Sequence, residues 1–500
     1  MNNAHKPALF LNSNIFNLSL PGCLHLLHCF VFRLIHIYQM KKNLITLIGI
    51  LFCYNVYAQS KYQPNWASLD SRPVPQWFTD AKFGIFIHWG IYSVPSWAPT
   101  DKSLSVYSKY AEWYWYRIAA DTTAVGDAFR KHHVLTYGPG FRYPDFANNF
   151  KAEMFDPDQW ASILKASGAK YVILTSKHHD GFTLWPSKQA WNWNAMDIGP
   201  HRDLAGDLLK AVRKQGLKMG FYYSLYEWFN PLYKADVNKY VDDHMIPQLK
   251  DLVSTYKPDI LWADGEWDYP SSTWKSEQFI SWLYNDSPVK DEIVINDRWG
   301  SETRGKHGGY YTTEYNLVGD KKAKDTMIDH PWEETRGIGG SFGLNRAESL
   351  NDYATSAELI HLLIDKVSSG GNLLLDIGPA ADGTIPVIMQ QRLTDMGNWL
   401  KVNGEAIYGT KAWDTAISYP KDEIAFTRKG KDLYIFCLKY PQKNITIPLR
   451  QKASGVSLLG FNGNINFKMT GNRLVIQTPV ITAGQYPCNY AWVFKVTDAL

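Results

Sequence analysis

FDPDQWASILKASGAKYVILTSKHHDGF, Phe155 to Phe182, is the stretch that decides the fold. Its first half reads as a helix: Asp156 can cap it, Pro157 suits the first helical position, and Trp160, Ile163 and Leu164 share one face. The apolar run YVILTS follows with strand character and ends abruptly in Lys177, His178, His179, Asp180 and Gly181. A helix followed by a strand without polar alternation is one repeat of a layered α/β fold, buried on both sides. Proton-handling groups crowding the exit of such a strand mark the end where these folds collect chemistry.

The same alternation runs outward in both directions. Upstream lies the strand-like AKFGIFIHWG, and downstream DLAGDLLKAVRKQG reads as a helix stopped by Gly216, followed by the strand MGFYYSLYEW. KYVDDHMIPQLKDLVSTYKP is a further helix and DILWADGEW a strand, with SEQFISWLYNDSP, EIVINDRWG and the glycine-rich HGGYYTTEY after them. The helix around ESLNDYATSAELIHLLIDKVSS, the strand NLLLDIGP and a last helix through MQQRLTDMGNWLK complete the series. No dinucleotide glycine fingerprint follows the first strand, so the pattern predicts an α/β fold of the (β/α)8-like TIM barrel type over 59–410 rather than a doubly wound sheet. Beyond residue 411 the texture changes to short strands separated by turn residues, with a hairpin across Lys429 and Gly430. That predicts a C-terminal antiparallel β-sandwich over 411–500.

From Met40 the chain reads MKKNLITLIGILFCYNVYAQS, with a Lys-Lys start, an apolar stretch from Leu44 to Phe52 and small residues at Val56 and Ala58. This is the form of a secretory signal peptide over 40–58, cleaved after Ala58, and it is too short to span a bilayer. Residues 1–39 then read as an over-extended start. The expectation is an exported protein, periplasmic or secreted, without a stable membrane span after cleavage. Of five cysteines only Cys437 and Cys488 would survive, which is no disulfide framework, and their spacing does not decide whether they pair.

The net charge of +4 over 500 residues, with no basic block, argues against nucleic acid as a partner. Twenty Trp and thirty Tyr, some beside polar clusters, suit a pocket for a flat-faced neutral ligand such as a sugar. In DILWADGEW, alternation puts Ile260, Trp262 and Asp264 on one face, so Asp264 ends a buried strand toward the mouth; a cap on the next loop is the plain alternative. Glu266 reads as a supporting loop carboxylate, and Glu314 and Glu333 as glutamates in loops, for which solvation is the ordinary reading. His178 and His179 point to opposite sides of an extended segment, and FIHWG offers only His88, so no metal site is expected.

Taken in order, WFTDAKFGIFIHWGIYSVPSW, YAEWYWYRI, TSKHHDGFTLW, YYSLYEW, LWADGEW, VINDRWG, TTEY, WEETRGIGGSFG and GGNLLLDIGP resemble the α-L-fucosidases of glycoside hydrolase family 29. The likeness runs from about Trp77 to Thr410, and SWLYNDSPVKDEIVINDRWG is similar to the lysosomal-type, broad-specificity branch. The resemblance implies a retaining glycosidase acting on fucosylated oligosaccharides or glycoconjugates, with Asp264 as nucleophile and no cofactor. It implies Glu314, of the T-x-E-Y element, as acid/base, with Glu333 of the W-E-x-T element as the alternative. It places sugar-binding roles on His88, Glu112, Trp113, His178, His179, Tyr222, Arg298 and Phe342, all of matching residue type. A catalytically inactive, lectin-like fucose-binding protein on the same fold is the competing reading, and a metal-dependent barrel hydrolase a third. The oligomeric state stays open, a homo-oligomer being compatible with everything above.

Overall fold

The computed structural model describes residues 32–42, 61–318, 321–322, 330–413 and 423–500. The expected signal peptide from residue 43 onward, and Cys23, Cys29 and Cys53, lie outside the described residues. The chain divides into two units, 1–61 and 62–500. In the first, residues 32–42 form an exposed helix. Among the described residues no helix is long and apolar enough to cross a membrane.

The second unit is built on eight parallel strands: β1 Phe83–Ile87, β2 Tyr171–Lys177, β3 Lys218–Ser224, β4 Ile260–Asp264, β5 Val294–Ile295, β6 Tyr311–Glu314, β7 Trp332–Gly337 and β8 Asn372–Ile377. They pair in the order β5-β4-β3-β2-β1-β8-β7-β6, and a short antiparallel pair, Leu317–Val318 with Lys321–Lys322, extends the β6 edge. The helices between them include α1 Pro157–Ala166, α2 Leu204–Lys214, α3 Ile246–Tyr256, α4 Ser276–Asn285, α5 Ser356–Ser368 and α6 Val387–Asn403. The α1 cap forms as its sequence suggests, with the Asp156 carboxylate accepting from the Asp158 and Gln159 N–H groups.

Every residue of β1, β2, β4 and β8 is buried, as strands covered on both faces require. Their alternation separates two cores. Phe86, Ile173, Tyr222, Ile260, Trp262, Val294, Tyr310 and Leu374 form an inner cluster inside the curled sheet, joined by Phe78 and Ala81 of the short helix Gln76–Ala81. Ile85, Ile87, Val172, Leu174, Leu261 and Ala263 turn outward into the larger core beneath the helices.

The expected barrel is met by a curled, barrel-like sheet whose ladder does not close: among the described residues no ladder joins β5 to β6. Two backbone bonds cross this seam, from Tyr310 N–H to the Ile295 carbonyl at 3.1 Å and from Gly309 N–H to that of Asn296 at 3.4 Å. β5 is short because Asn296 leaves the strand conformation and bonds Ala263 with its side chain instead, Oδ1 accepting from Ala263 N–H at 3.2 Å and Nδ2 donating to the Ala263 carbonyl at 2.8 Å. Two further expectations are corrected. Glu314 and Glu333 lie on strands β6 and β7, not in loops.

The C-terminal region forms two antiparallel sheets of five and three strands around a shared core that includes Leu433, Ile435, Ile447, Leu474, Ile476 and Phe494. The hairpin turns at Gly430, between strands Ile424–Lys429 and Asp432–Cys437. Cys437 and Cys488 are both free thiols. Tyr434, Phe436 and Val493 belong to the larger core of the parallel sheet, and the Trp399 indole donates to the Ala491 carbonyl at 2.8 Å, so the two parts share packing.

Candidate active site

The strand ends deliver their side chains to one place. His88 follows β1, His178 and His179 follow β2, Tyr222 lies in β3, Asp264 ends β4, Arg298 follows β5 and Glu314 ends β6. Glu112 and Trp113 come from a single turn, Ala111–Trp113, within the long connection after β1, and Phe342 from the segment after β7. These ten residues line one cavity of about 530 Å³, a size suited to a small organic ligand. Glu333 does not line it.

The charges of the cavity are organised by Arg298, whose guanidinium is buried and lies 4.3 Å over the ring of Trp262. One terminal nitrogen donates to Asp264 Oδ1 at 2.7 Å and the other to Glu314 Oε2 at 3.2 Å. A single planar fork thus holds two carboxylates from different strands. Asp264 also accepts from the Tyr222 hydroxyl at 2.8 Å, and Glu314 from the Tyr110 hydroxyl at 2.7 Å. Burial alone would raise the Asp264 carboxyl, but Arg298, His179 and Arg304 around it outweigh that and hold it below the usual carboxylate range.

Glu333 sits two residues before the cavity-lining Thr335 on β7, fully buried inside the curled sheet. It accepts from the Tyr171 hydroxyl and, at 3.4 Å, from the Trp262 indole. Burial raises it to about 7, against the opposing pull of its hydrogen bonds. The Trp262 ring, itself part of the lining, bonds to Glu333 from above.

The neutral groups are equally fixed. Burial lowers His88 to about 3 and His179 to about 4, so both imidazoles are uncharged near neutrality. His88 Nδ1 lies 2.6 Å from Asp376 Oδ1 on β8, whose carboxyl burial pushes far up. Phe342 stacks on His88 at 5.0 Å, and His178 on Tyr222 at 5.6 Å. His178 Nδ1 is buried and finds no hydrogen-bond partner among the described residues. Glu112 accepts from Gly343 N–H at 2.9 Å and Ser341 Oγ at 3.1 Å, yet burial still raises it to about 7. Behind the histidine pair, the Lys177 ammonium is fully buried against Glu227 at 2.5 Å, and Trp228 N–H donates to the His179 carbonyl at 2.8 Å, which ties the two loops together.

Several lining or supporting residues escaped the sequence reading: Tyr110, Trp267, Arg304 and Asp376, with Glu266 read only as a supporting group. Tyr110 and Asp376 had a usable signal, one lying two residues before Glu112 and the other near the end of the apolar strand NLLLDI. Arg304 had none, because it lies in a polar loop without periodicity. Among the described residues no group of three or more metal-binding side chains gathers.

Comparison with known proteins gives the arrangement its context. A family model described as alpha-L-fucosidase matches residues 50–405, and one for the alpha-L-fucosidase C-terminal domain matches residues 419–497. The chain belongs to the alpha-L-fucosidase family. Among relatives in that family, human tissue alpha-L-fucosidase is 43% identical over 448 residues, covering 87% of this chain and 92% of the human one. The alpha-L-fucosidase of Dictyostelium discoideum is 42% identical over 475 residues, covering 91% and 99%. Among solved structures, Thermotoga maritima alpha-fucosidase in complex with a mechanism-based inhibitor matches with a TM-score of 0.72 and 39% identity, over 87% of this chain and all of that one.

Proposed function

We propose that this protein is a retaining exo-α-L-fucosidase that removes terminal fucose from fucosylated glycans, with Asp264 as nucleophile and Glu314 as acid/base. The observation that carries the reading is the Arg298 fork, which brings two carboxylates from different strands into one aromatic-lined cavity. Retaining hydrolysis needs two carboxyls on either side of one glycosidic bond. Asp264, kept ionised by Arg298, attacks the anomeric carbon while Glu314, entering this step as the carboxylic acid, gives its proton to the departing oxygen. Glu314 then takes a proton from water, which attacks the same carbon and frees Asp264.

The rest of the cavity suits a neutral 6-deoxy sugar. His88, His178, His179, Glu112, Trp113 and Tyr222 offer hydrogen bonds to ring hydroxyls, and Phe342 and Phe86 offer apolar surface for the C5 methyl. Trp262 and Phe86 join the lining to the inner core, a closed floor that favours a terminal residue over a chain passing through. Glu314 is favoured over Glu333 because only the former reaches the cavity. The names of the human and Dictyostelium relatives, and the mechanism-based inhibitor in the Thermotoga structure, support turnover rather than the lectin-like reading. With this function we also assign a (β/α)8-like barrel domain over 59–410, a β-sandwich over 411–500, and export directed by residues 40–58.

Proton NMR of fucose release from an aryl α-L-fucoside tests the reading. The α-anomer should appear before mutarotation, and Asp264→Ala should lose turnover by on the order of a thousandfold or more while the protein stays folded and binds fucose. Initial appearance of the β-anomer, or near-normal turnover in Asp264→Ala, would overturn it.

A further inference from the structure

We infer that Glu266, Arg304 and Trp267 form a second sugar-binding wall in the same cavity, which takes the neutral pyranose to which the fucose is attached. The inference rests on the fucosidase reading above. Gly265, at φ +74°, turns the chain between Asp264 and Glu266, and both carboxylates line the cavity. Glu266 is only 3% exposed. Its Oε1 accepts from Arg304 Nε at 2.5 Å, and its backbone carbonyl from the Trp274 indole at 3.0 Å. Its Oε2 is buried and meets no donor among the described residues.

A buried carboxylate oxygen without a donor is costly in a folded protein, and because Glu266 lines the cavity, rotation of its carboxyl group is the motion that offers this oxygen to a donor on a ligand. Arg304 supplies the complement. With Nε engaged by Glu266, its Nη2 stands 3.8 Å from Asp264 Oδ1, beyond hydrogen-bond length, and Arg304 itself lines the cavity. An acceptor and a donor side by side match two neighbouring hydroxyls, one donating to Oε2 and the other accepting from the guanidinium. Their opposite charges also favour a neutral sugar over an anionic one. Trp267, 38% exposed and lying within 25° of parallel to Trp113 at 6.1 Å, adds an indole face on which the apolar side of a pyranose can rest.

The test compares kcat/KM for a fucosylated lactose with that for α-L-fucosyl fluoride, which carries no sugar beyond the fucose. Both report the first bond-breaking step. Glu266→Gln should lower the ratio of the lactose substrate to the fluoride by about tenfold to a hundredfold, the loss expected for a hydrogen bond to a charged group. Trp267→Leu, at a partly exposed position, should lower the same ratio several-fold, and free lactose should inhibit both variants less than the unchanged protein. If Glu266→Gln slows both substrates equally, Glu266 acts on Asp264 through Arg304 and the second wall is refuted. An unchanged ratio in both variants also refutes it. A folded, unsubstituted protein inactive on the fluoride would refute the fucosidase reading itself and the inference with it.

Discussion

Arg298 holds two carboxylates of the cavity, and two residues show how far its reach extends. Asp264 is buried, and burial alone would raise its carboxyl; the guanidinium at 2.7 Å reverses the sign. Arg298→Gln should therefore move the acid limb of the kcat/KM profile to higher pH, because the nucleophile would protonate sooner as pH falls. An acid limb that stays in place would show that Arg298 does not govern Asp264. Glu333 presents the opposite case, since burial raises it to about 7 with no cation bonded to it. A carboxyl whose folded pKa lies above its unfolded one contributes stability at low pH, and that contribution is lost as pH rises through about 7. Melting temperatures should thus fall more steeply between pH 5 and pH 8 in the unchanged protein than in Glu333→Gln, a difference on the order of 3 kcal/mol across the window. Parallel melting curves would contradict the assignment.

At the scale of elements, legibility depended on whether burial and polarity agreed. β2 and β4 were readable because they are apolar to the last turn and then switch, and alternation along β4 placed Asp264 on the inner face correctly. β7 was not, because Trp332–Gly337 carries Glu333, Glu334, Thr335 and Arg336, a composition that reads as a solvated loop. It is a strand because its two carboxylates are satisfied within the fold: Glu333 by Tyr171 and Trp262, Glu334 by Thr313, Asn316 and Arg336. β5 failed in the other direction, since the side chain of Asn296 takes over bonds that a longer strand would make with its backbone. The turn after β4 is fixed by sterics. A Cβ on Gly265 would lie 2.5 Å from Tyr226 Cβ and 2.8 Å from its backbone nitrogen, at a positive φ. Gly265→Ala should cost more than about 1 kcal/mol of stability and lower activity together, as measured by urea unfolding and fucoside turnover. Stability without loss would mean that the loop relaxes freely.

Over the whole molecule, the C-terminal sheets take part in the fold of the parallel sheet. Tyr434, Phe436 and Val493 sit in the larger core, the His361 imidazole donates to the Tyr490 carbonyl at 2.9 Å, and Trp399 to that of Ala491 at 2.8 Å. A chain ending at residue 410 would expose this apolar face, and it should aggregate or lose cooperative unfolding when followed by light scattering and calorimetry. A monomeric, sharply melting fragment would show that the first part folds alone. The change of texture near residue 411 was visible in the sequence. The shared core was not, because contacts between distant strands leave no local pattern.

The open seam between β5 and β6 gives Arg298 a further role. It stands just past the end of one edge strand, and its Nε donates to Thr312 Oγ1 on the other at 3.0 Å, while Asp297 accepts from the Thr312 backbone and hydroxyl at 3.1 Å and 2.7 Å. Side chains thus fasten two edges that, among the described residues, no ladder joins. The guanidinium that holds the two carboxylates is also a rivet in the wall that carries them. Loosening that rivet would alter the shape of the vessel along with its contents, so variants bred for altered chemistry at this position will carry a mechanical penalty as well as a chemical one.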